Sequence, residues 1–327
     1  MLPAGELELL RPTTLEDAAA LLLRPRARLV AGGTDLLPNL RRGIGTPRWL
    51  VDLGAIEGFD AVREDGEGLR LGAGLTLSAL IRRAQATDLA EVWPALVHAA
   101  SQVAGPGHRS AATVGGNLCQ DTRCIYYNQS AWWRQANEHC LKHEGTTCHV
   151  APQGQRCHAA YAGDLAPALI AYGATVELVS LEGRRTLPLA ELYRDDGAAH
   201  LTMAPHELLA SVWLPRPAAG SASAYRKMRS RAAMDFPLAG VAMVLRLRQG
   251  TIAELAVGVS GTNSHPVRLQ GTETLLGQAP GEEAARALGK LVAKQVSPMR
   301  STVTAAHYRR LVAATAAERL LRELASR

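Results

Sequence analysis

Aromatic side chains are scarce in this sequence, at 4% of 327 residues, and the arginines are scattered along the chain. A formal net charge of +6 therefore comes without the basic stripe and the stacking aromatics that a nucleic-acid interface uses. We expect no nucleic-acid partner and assign the positive charge to a solvated surface. A role for that charge in docking an acidic redox partner stays open, because complementary charge speeds association and makes it specific.

Long apolar runs are also missing. No stretch approaches the roughly 18 uninterrupted apolar residues of a membrane-spanning helix, and residues 1–12 do not place a charged segment before a long apolar run. With 47% hydrophobic and 20% charged residues, the composition is that of an ordinary globular protein long enough for two or three domains. We therefore expect a soluble, cytoplasmic protein with no membrane partner.

The common nucleotide-binding glycine motifs are absent as well. The glycine pairs at residues 72–74 and 105–107 both lack the third glycine of G-x-G-x-x-G, and no G-x-x-x-x-G-K-[ST] occurs. A Rossmann-type NAD site and a P-loop are therefore disfavoured.

Two glycine loops of another kind are present. The first is Gly32-Gly33-Thr34-Asp35, which follows a predicted strand, and the second is Thr-Val-Gly-Gly-Asn at residues 113–117. Without side chains, the backbone amides of such loops can approach a pyrophosphate closely. One loop of this kind is explained equally well as a tight turn, but two in one domain favour a dinucleotide site modestly.

Cysteine is confined to one stretch of the chain. The five cysteines are Cys119, Cys124, Cys140, Cys148 and Cys157. An odd, clustered set in an unexported chain argues against a disulfide framework and for metal or redox chemistry. The last four can together ligate one 4Fe-4S cluster, whereas Cys119 is interpreted as a small buried residue near the ligand.

Zinc is an alternative occupant for the same four cysteines. Their spacing lacks the C-x-x-C pairs of zinc ribbons, but the same segment contains four histidines, His139, His143, His149 and His158. Because both metals use tetrahedral cysteine ligation, composition alone favours iron-sulfur only modestly. For the histidines we expect surface positions ahead of roles as ligands or as neighbours of ligands.

Hydrophobic periodicity predicts helices and strands on both sides of the cysteine segment. Residues 119–161 show neither helical nor strand periodicity. A loop that long requires something other than regular secondary structure to order it. The segment at 215–223, rich in proline, alanine, glycine and serine, predicts a domain boundary. Beyond it we predict strands at 239–247 and 252–260 and helices at 282–296 and 306–324.

Several segments, taken in order, resemble a known family. The loop at 29–36, the loop at 112–118 and Gly-Asp-Leu-Ala-Pro-Ala at 163–168 resemble the FAD-binding subunits of the xanthine dehydrogenase and carbon monoxide dehydrogenase family. The resemblance continues through Tyr225, Lys227 and Met-Asp-Phe-Pro at 234–237 and covers essentially the whole chain. One departure is Val103, which stands where xanthine oxidases place an aromatic beside the flavin.

The cysteine segment resembles a rarer feature. Cys-Gln-Asp-Thr-Arg-Cys at 119–124, Tyr-Asn-Gln-Ser at 127–130, Trp-Trp-Arg at 132–134 and Cys-Leu-Lys at 140–142 resemble the cluster-bearing loop of the 4-hydroxybenzoyl-CoA reductases. Most members of the wider family lack this loop. The resemblance therefore strengthens the 4Fe-4S interpretation well beyond what the spacing alone supports.

The resemblance implies an α+β fold class: a two-lobed, PCMH-like FAD-binding domain at 1–217, with a 4Fe-4S insertion loop at 119–161, and a C-terminal domain of antiparallel sheet plus helices at 221–327. It also implies site residues but no catalytic residue. Those for the FAD pyrophosphate are Leu29, Val30, Ala31, Gly32, Gly33, Thr34, Asp35 and Leu36. The residues that would continue the dinucleotide site are Thr113, Gly116 and Asn117. Asp164 and Lys227 would contact the sugar or flavin. The cluster ligands would be Cys124, Cys140, Cys148 and Cys157.

The function implied by the resemblance is electron transfer in a molybdenum enzyme. Electrons from ferredoxin would pass through the 4Fe-4S cluster and FAD to 2Fe-2S clusters and molybdenum on partner subunits, where 4-hydroxybenzoyl-CoA is reductively dehydroxylated to benzoyl-CoA. The expected partners are a molybdopterin-binding large subunit and a 2Fe-2S small subunit, as a dimer of heterotrimers. The alternative is an oxidative hydroxylase that acts on another aromatic or CoA substrate with NAD or quinone as acceptor.

Overall fold

The computed structural model describes residues 7–327, so the first six residues of the predicted FAD-binding domain lie outside the described residues. Twelve strands are described: β1 Glu8–Leu10, β2 Ala27–Val30, β3 Trp49–Asp52, β4 Val62–Glu64, β5 Gly68–Gly72, β6 Thr175–Ser180, β7 Gly183–Pro188, β8 Leu208–Pro215, β9 Ser221–Met228, β10 Ala239–Arg248, β11 Thr251–Ser260 and β12 Val267–Arg268. The α-helices described are α1 Leu15–Leu22, α2 Leu36–Arg41, α3 Leu77–Ala86, α4 Leu89–Val92, α5 Pro94–Ser101, α6 Pro106–Arg109, α7 Val114–Leu118, α8 Ala131–Ala136, α9 Leu165–Ala171, α10 Glu282–Gln295 and α11 Ala306–Ala325.

The strands form three sheets, which confirms the predicted α+β class. A small parallel sheet has the order β1-β3-β2, and an antiparallel sheet of five strands has the order β4-β5-β8-β6-β7. The third sheet, β12-β11-β10-β9, is antiparallel. The first glycine loop leaves the carboxyl end of β2, so the parallel sheet sets its position.

Two hydrophobic cores hold these layers together. The larger is built from the first two sheets and helices α1, α3, α5 and α9. The smaller packs the third sheet against α10 and α11. In α11 the residues Val312, Ala316, Leu320 and Leu324 recur every fourth position and are all buried, as expected for one face of a helix. In the β10–β11 hairpin, Gln249 and Gly250 both have positive φ, which matches the twist of a two-residue turn.

The cysteine segment contains more regular structure than the sequence predicts. Helix α8 lies inside it and begins at Ser130, whose side chain accepts a hydrogen bond from the amide of Trp133. The sequence signal for α8 is the single capping residue Ser130. The six helical residues that follow it are too few to show helical periodicity. Trp132 on this helix is 75% exposed, so it does not pack over the cysteines.

Hydrogen bonds to the rest of the protein order this segment. Its two ends meet where Arg123 and Ala160 exchange backbone hydrogen bonds of 2.7 and 2.8 Å. The buried guanidinium of Arg134 donates to the carbonyls of Arg42 and Gly43, at 3.1 and 2.9 Å. The amide of Ile125 donates to Ser301 in the C-terminal part of the chain, at 2.9 Å. The segment is therefore attached to the rest of the protein at its two joined ends, at Arg134 and at Ile125, and it is not a free loop.

Arg309 of α11 is fully buried and joins three loops near this segment. Its guanidinium donates to the carbonyls of Leu238, Gly261 and Met299. Burial lowers the pKa of Arg309 to about 10, so it stays charged at neutral pH. We expect Arg309→Met to lower the free energy of unfolding by about 3 kcal/mol, since three buried carbonyls each lose a bond worth about 1 kcal/mol.

Denaturant unfolding monitored by circular dichroism measures this difference. The matched control is Arg310→Met, because Arg310 is the next residue of the same helix and is exposed. Equal stability of the two variants would show that Arg309 does not hold the loops.

Candidate cofactor sites

A cavity of about 390 Å³ opens beside the parallel sheet and gathers both glycine loops. It is lined by all eight predicted residues of the first loop, 29–36, and by Thr113 and Gly116 of the second. The carboxyl end of β2 delivers the first loop, and the N-terminus of α7 delivers the second. Loops separated by some eighty positions in the sequence thus face one space, as a dinucleotide with two phosphates requires.

The two loops touch because Gly32 has no side chain. A Cβ atom built on Gly32 would lie 1.9 Å from the carbonyl oxygen of Ala111, just before the second loop. Gly33 has φ +68°, a left-handed conformation that glycine adopts without strain. Glycine is therefore required at residue 32 for the loops to meet, and at residue 33 it allows the left-handed conformation without strain.

Backbone amides of the first loop are available to a ligand. Within residues 7–327, the amides of Gly32, Gly33 and Thr34 donate to no protein acceptor. In the second loop the Thr113 hydroxyl oxygen accepts from the amide of Gly116 at 3.0 Å, which leaves its own proton to donate. Clustered, unpaired amides form a concave anion site of the kind that binds phosphate.

Asp35 fastens the first loop to the cysteine segment. One carboxylate oxygen accepts from the amide of Asp121 at 2.9 Å, and the other pairs with the guanidinium of Arg123. That guanidinium also lies over the ring of Phe236, 4.8 Å from its centroid. Asp35 lines the cavity, but both oxygens are engaged by the protein. Its role in the site is therefore to hold the loop in place.

Three of the predicted FAD contacts lie outside this cavity. Asn117 is buried, and its side-chain oxygen accepts from the amide of Leu165 at 3.0 Å. The Asp164 carboxylate accepts from Lys227 at 2.9 Å and from the Tyr225 hydroxyl at 2.6 Å. Burial raises the pKa of Asp164, and the Lys227 ammonium opposes that rise. Direct contact of Asn117, Asp164 and Lys227 with FAD stays a prediction.

Four cysteines line a single small pocket on the other side of residues 119–124. They are Cys124, Cys140, Cys148 and Cys157, each at most 8% exposed and none in a disulfide. Burial raises the pKa of Cys124 to about 11 and that of Cys157 to about 12. The thiols of Cys124 and Cys157 therefore carry their protons at neutral pH, and a metal ion would bind there with release of protons.

Cys119 lies apart from this set. It lines the cavity of the glycine loops, with its sulfur 4.0 Å from that of Met203, and burial raises its pKa to about 12. A protonated, buried thiol with an apolar neighbour is a packing residue. This agrees with its interpretation as a small residue near the ligand.

The spacing of the thiols bears on the metal. Four sulfurs around one zinc ion are about 3.8 Å apart, from tetrahedral bonds of about 2.3 Å. Within residues 7–327, the one group of three or more potential ligand atoms that all lie within 4.8 Å of one another is His139, His143 and Glu144. No three of the four cysteine sulfurs in this part of the chain therefore all lie within 4.8 Å of one another.

The histidines surround the pocket without replacing its cysteines. His149 lines it, and its Nε2 donates to the carbonyl of His139. The ring of His143 packs edge-on to Tyr127, with centroids 6.3 Å apart. His158 is half-buried beside Cys157. Surface positions were expected, whereas His149 is a neighbour of the thiols.

Sequence reasoning missed two groups of site residues. Leu201, Met203, Ala204, Pro205 and Glu207 line the cavity from the segment before β8, which has no motif. Lys142 and Tyr127 line the cysteine pocket. The signal for Lys142 is its place two residues after Cys140, within the Cys-Leu-Lys segment that resembles a cluster-bearing loop.

The chain, with its glycine-loop cavity beside a pocket of thiols, is similar to known proteins along nearly its whole length. A family model described as "FAD binding domain in molybdopterin dehydrogenase" matches residues 5–217, and one described as "CO dehydrogenase flavoprotein C-terminal domain" matches residues 223–324. The chain therefore belongs to the family of FAD-binding subunits of the molybdenum hydroxylases, which includes xanthine dehydrogenase and carbon monoxide dehydrogenase. The family predicted from the sequence is confirmed.

Individual relatives agree with this family. The FAD-binding subunit PaoB of an aldehyde oxidoreductase from Escherichia coli is 33% identical, over 81% of this chain and 84% of its own. The carbon monoxide dehydrogenase medium chain of Afipia carboxidovorans is 28% identical, over 82% and 78%. A solved structure of reconstituted CO dehydrogenase from Oligotropha carboxidovorans superimposes with a TM-score of 0.82 at 26% identity, covering 100% of both chains. None of the described helices is long and apolar enough to span a membrane.

Proposed function

We propose that this chain is an electron-transfer subunit that holds FAD in the glycine-loop cavity and one 4Fe-4S cluster on Cys124, Cys140, Cys148 and Cys157. The main support is that the glycine-loop cavity and the thiol pocket lie close together. Cys119 lines the cavity and Cys124 lines the thiol pocket, and five positions of chain span at most about 18 Å. Two cofactor sites joined by so short a stretch of chain suit electron transfer between the groups they would hold.

The two groups supply complementary chemistry when bound. A cluster exchanges single electrons, whereas a flavin exchanges either one or two, so together they match one-electron carriers to a two-electron reaction. The protein's part is to position them, exclude water and tune their potentials. No side chain of this chain need act as a general acid or base.

Support for iron over zinc comes from the resemblance of the cysteine segment to cluster-bearing loops. The competing proposal is a zinc-stabilised nucleotide-binding protein without a redox role. Metal and sulfide analysis of anaerobically purified protein separates the two. We expect about four iron and four sulfide per FAD, as in a 4Fe-4S cluster. Zinc without sulfide would overturn the cluster.

The partners follow from the cysteine count. One cluster and Cys119 account for all five cysteines, which leaves none for 2Fe-2S centres. We propose that a 2Fe-2S small subunit and a molybdopterin-binding large subunit carry the remaining cofactors, assembled as a dimer of heterotrimers. The isolated chain should bind FAD and absorb as an iron-sulfur protein yet turn over no substrate. Substrate turnover by the isolated chain would contradict this division.

For the reaction of the complete enzyme, we propose reduction of 4-hydroxybenzoyl-CoA by ferredoxin: the substrate takes up two electrons and two protons and yields benzoyl-CoA and water. The support is the resemblance of the cysteine segment to that enzyme's loop. A second candidate is oxidation of another aromatic, CoA or aldehyde substrate, with NAD or quinone as acceptor. Its support is the 33% identity to a subunit of an aldehyde oxidoreductase.

The purified complex distinguishes the two reactions. With reduced ferredoxin and 4-hydroxybenzoyl-CoA, the reductive reaction yields benzoyl-CoA, measured by chromatography. With an aromatic aldehyde and NAD or a quinone, the oxidative reaction yields the acid. Turnover in the second assay and none in the first would replace the reductive proposal and leave the cofactor assignment intact.

A further inference from the structure

We propose that Lys142 sets the reduction potential of the cluster and holds in place the strip of chain that joins the cluster to the FAD cavity. This rests on the proposed function, because it takes the four cysteines to hold the cluster. Lys142 is a positioning residue: it lines the thiol pocket and not the glycine-loop cavity, and it acts through charge and through Asp121 and Thr122.

The ammonium group of Lys142 is buried against the thiol pocket. Its side chain is 5% exposed and lines the same pocket as the four cysteines. Nζ donates to the carboxylate of Asp121 at 2.5 Å and to the carbonyl of Thr122 at 3.2 Å, and it also contacts the Thr122 hydroxyl. It lies over the ring of Tyr127, 4.4 Å from the centroid. These partners fix the cation in one place.

A fixed, buried cation favours the more negative state of a neighbouring cluster. Reduction adds an electron to the cluster, and a positive charge in a medium of low dielectric stabilises the added charge. Asp121 opposes this effect, but its side chain is 28% exposed, so water screens it more than it screens Lys142. Two titratable neighbours of Lys142, Tyr127 and His200, are neutral, since burial raises the pKa of the phenol and lowers that of the imidazole to about 4.

The same contacts place Lys142 on the link between the two sites. Cys119 and Gln120 line the cavity, Cys124 lines the thiol pocket, and Asp121 and Thr122 lie between them. Asp35 of the first glycine loop binds the amide of Asp121 from the cavity side.

Lys142 holds the same strip from the pocket side. The Thr122 hydroxyl donates a hydrogen bond to the carbonyl of Gly197 at 2.6 Å. This bond ties the strip to a third part of the chain. Lys142 thus determines where the strip lies relative to the cluster.

The test is a redox titration of the complete enzyme, with the cluster followed by electron paramagnetic resonance. For Lys142→Met we expect the iron content to be retained and the ratio of reduced to oxidised cluster at a fixed potential to fall about tenfold. That ratio corresponds to about 59 mV for a one-electron couple. Lys142→Arg should restore most of the difference, and the exposed Lys290→Met serves as the matched control.

A second variant separates electrostatics from structure. Asp121→Asn removes the opposing anion, so the ratio of reduced to oxidised cluster should rise while that of Lys142→Met falls. A merely structural role would not move the two in opposite directions. If Lys142→Met loses its iron, the Asp121→Asn titration decides the matter.

The role of Lys142 and the presence of the cluster are overturned by different results. Full iron with an unchanged potential in Lys142→Met, or an unchanged or lower ratio in Asp121→Asn, would overturn the role of Lys142 and leave the cluster intact. Absence of iron and sulfide from the unmodified enzyme would overturn the cluster itself.

Discussion

Replacing Gly32 by alanine is expected to weaken FAD binding at least a hundredfold, about 2.8 kcal/mol. The added Cβ would lie 1.9 Å from the Ala111 carbonyl oxygen, which is backbone and cannot rotate away. The two glycine loops must then separate, and the amides of Gly32, Gly33 and Thr34 no longer converge. Flavin fluorescence during titration of the deflavinated protein measures the dissociation constant.

Two further variants control this result. Gly66→Ala places a methyl group on an exposed turn with nothing within 4 Å, and it should bind FAD normally. Gly116→Ala is milder than Gly32→Ala, because its Cβ would meet only the Thr113 hydroxyl oxygen at 2.9 Å. It should weaken FAD binding while the fold is kept, as circular dichroism can verify. Normal FAD affinity in folded Gly32→Ala would rule out the cavity as the pyrophosphate site.

Replacing Cys140 by serine is expected to remove most of the iron from the purified subunit. A neutral hydroxyl is a far poorer ligand than a thiolate, and a four-cysteine site that loses one ligand no longer closes around its cluster. FAD content should stay near that of the unmodified protein, because Cys140 lines the thiol pocket and not the cavity. Iron, acid-labile sulfide and flavin are measured on the same sample.

The chain supplies its own control for this experiment. Cys119→Ser changes a thiol that lines the FAD cavity and lies outside the thiol pocket, so iron should be retained. An unchanged iron content in Cys140→Ser, or an equal loss in both variants, would refute the ligand set.

Regular, periodic parts of the fold were the most predictable from the sequence. The helices predicted at 282–296 and 306–324 are observed at Glu282–Gln295 and Ala306–Ala325, and the strands at 239–247 and 252–260 at Ala239–Arg248 and Thr251–Ser260. Apolar spacing of four or two fixes such elements locally. The α+β class and the FAD-binding family followed from the resemblance of several ordered segments, the two glycine loops among them, to a known family.

Contacts between distant segments could not be predicted in the same way. Asp164 and Lys227 were predicted near FAD, and the structure pairs them with each other, while Asp164 also accepts from the Tyr225 hydroxyl. Lys142 belongs to the Cys-Leu-Lys segment at 140–142, but its burial depends on Asp121 and Thr122, some twenty positions earlier. Local pattern does not encode such pairings, because they form only when the third sheet and the cysteine segment close on the cavity.

We propose that one polypeptide holds a flavin and an iron-sulfur cluster side by side. The most direct test of this proposal is the visible spectrum of the anaerobically purified chain, recorded before and after dithionite with iron and flavin counted in the same sample. We predict a flavin band on broad iron-sulfur absorption, both bleached by the reductant, with about four iron per FAD. A yellow protein that bleaches as flavin alone and holds no iron would contradict the account.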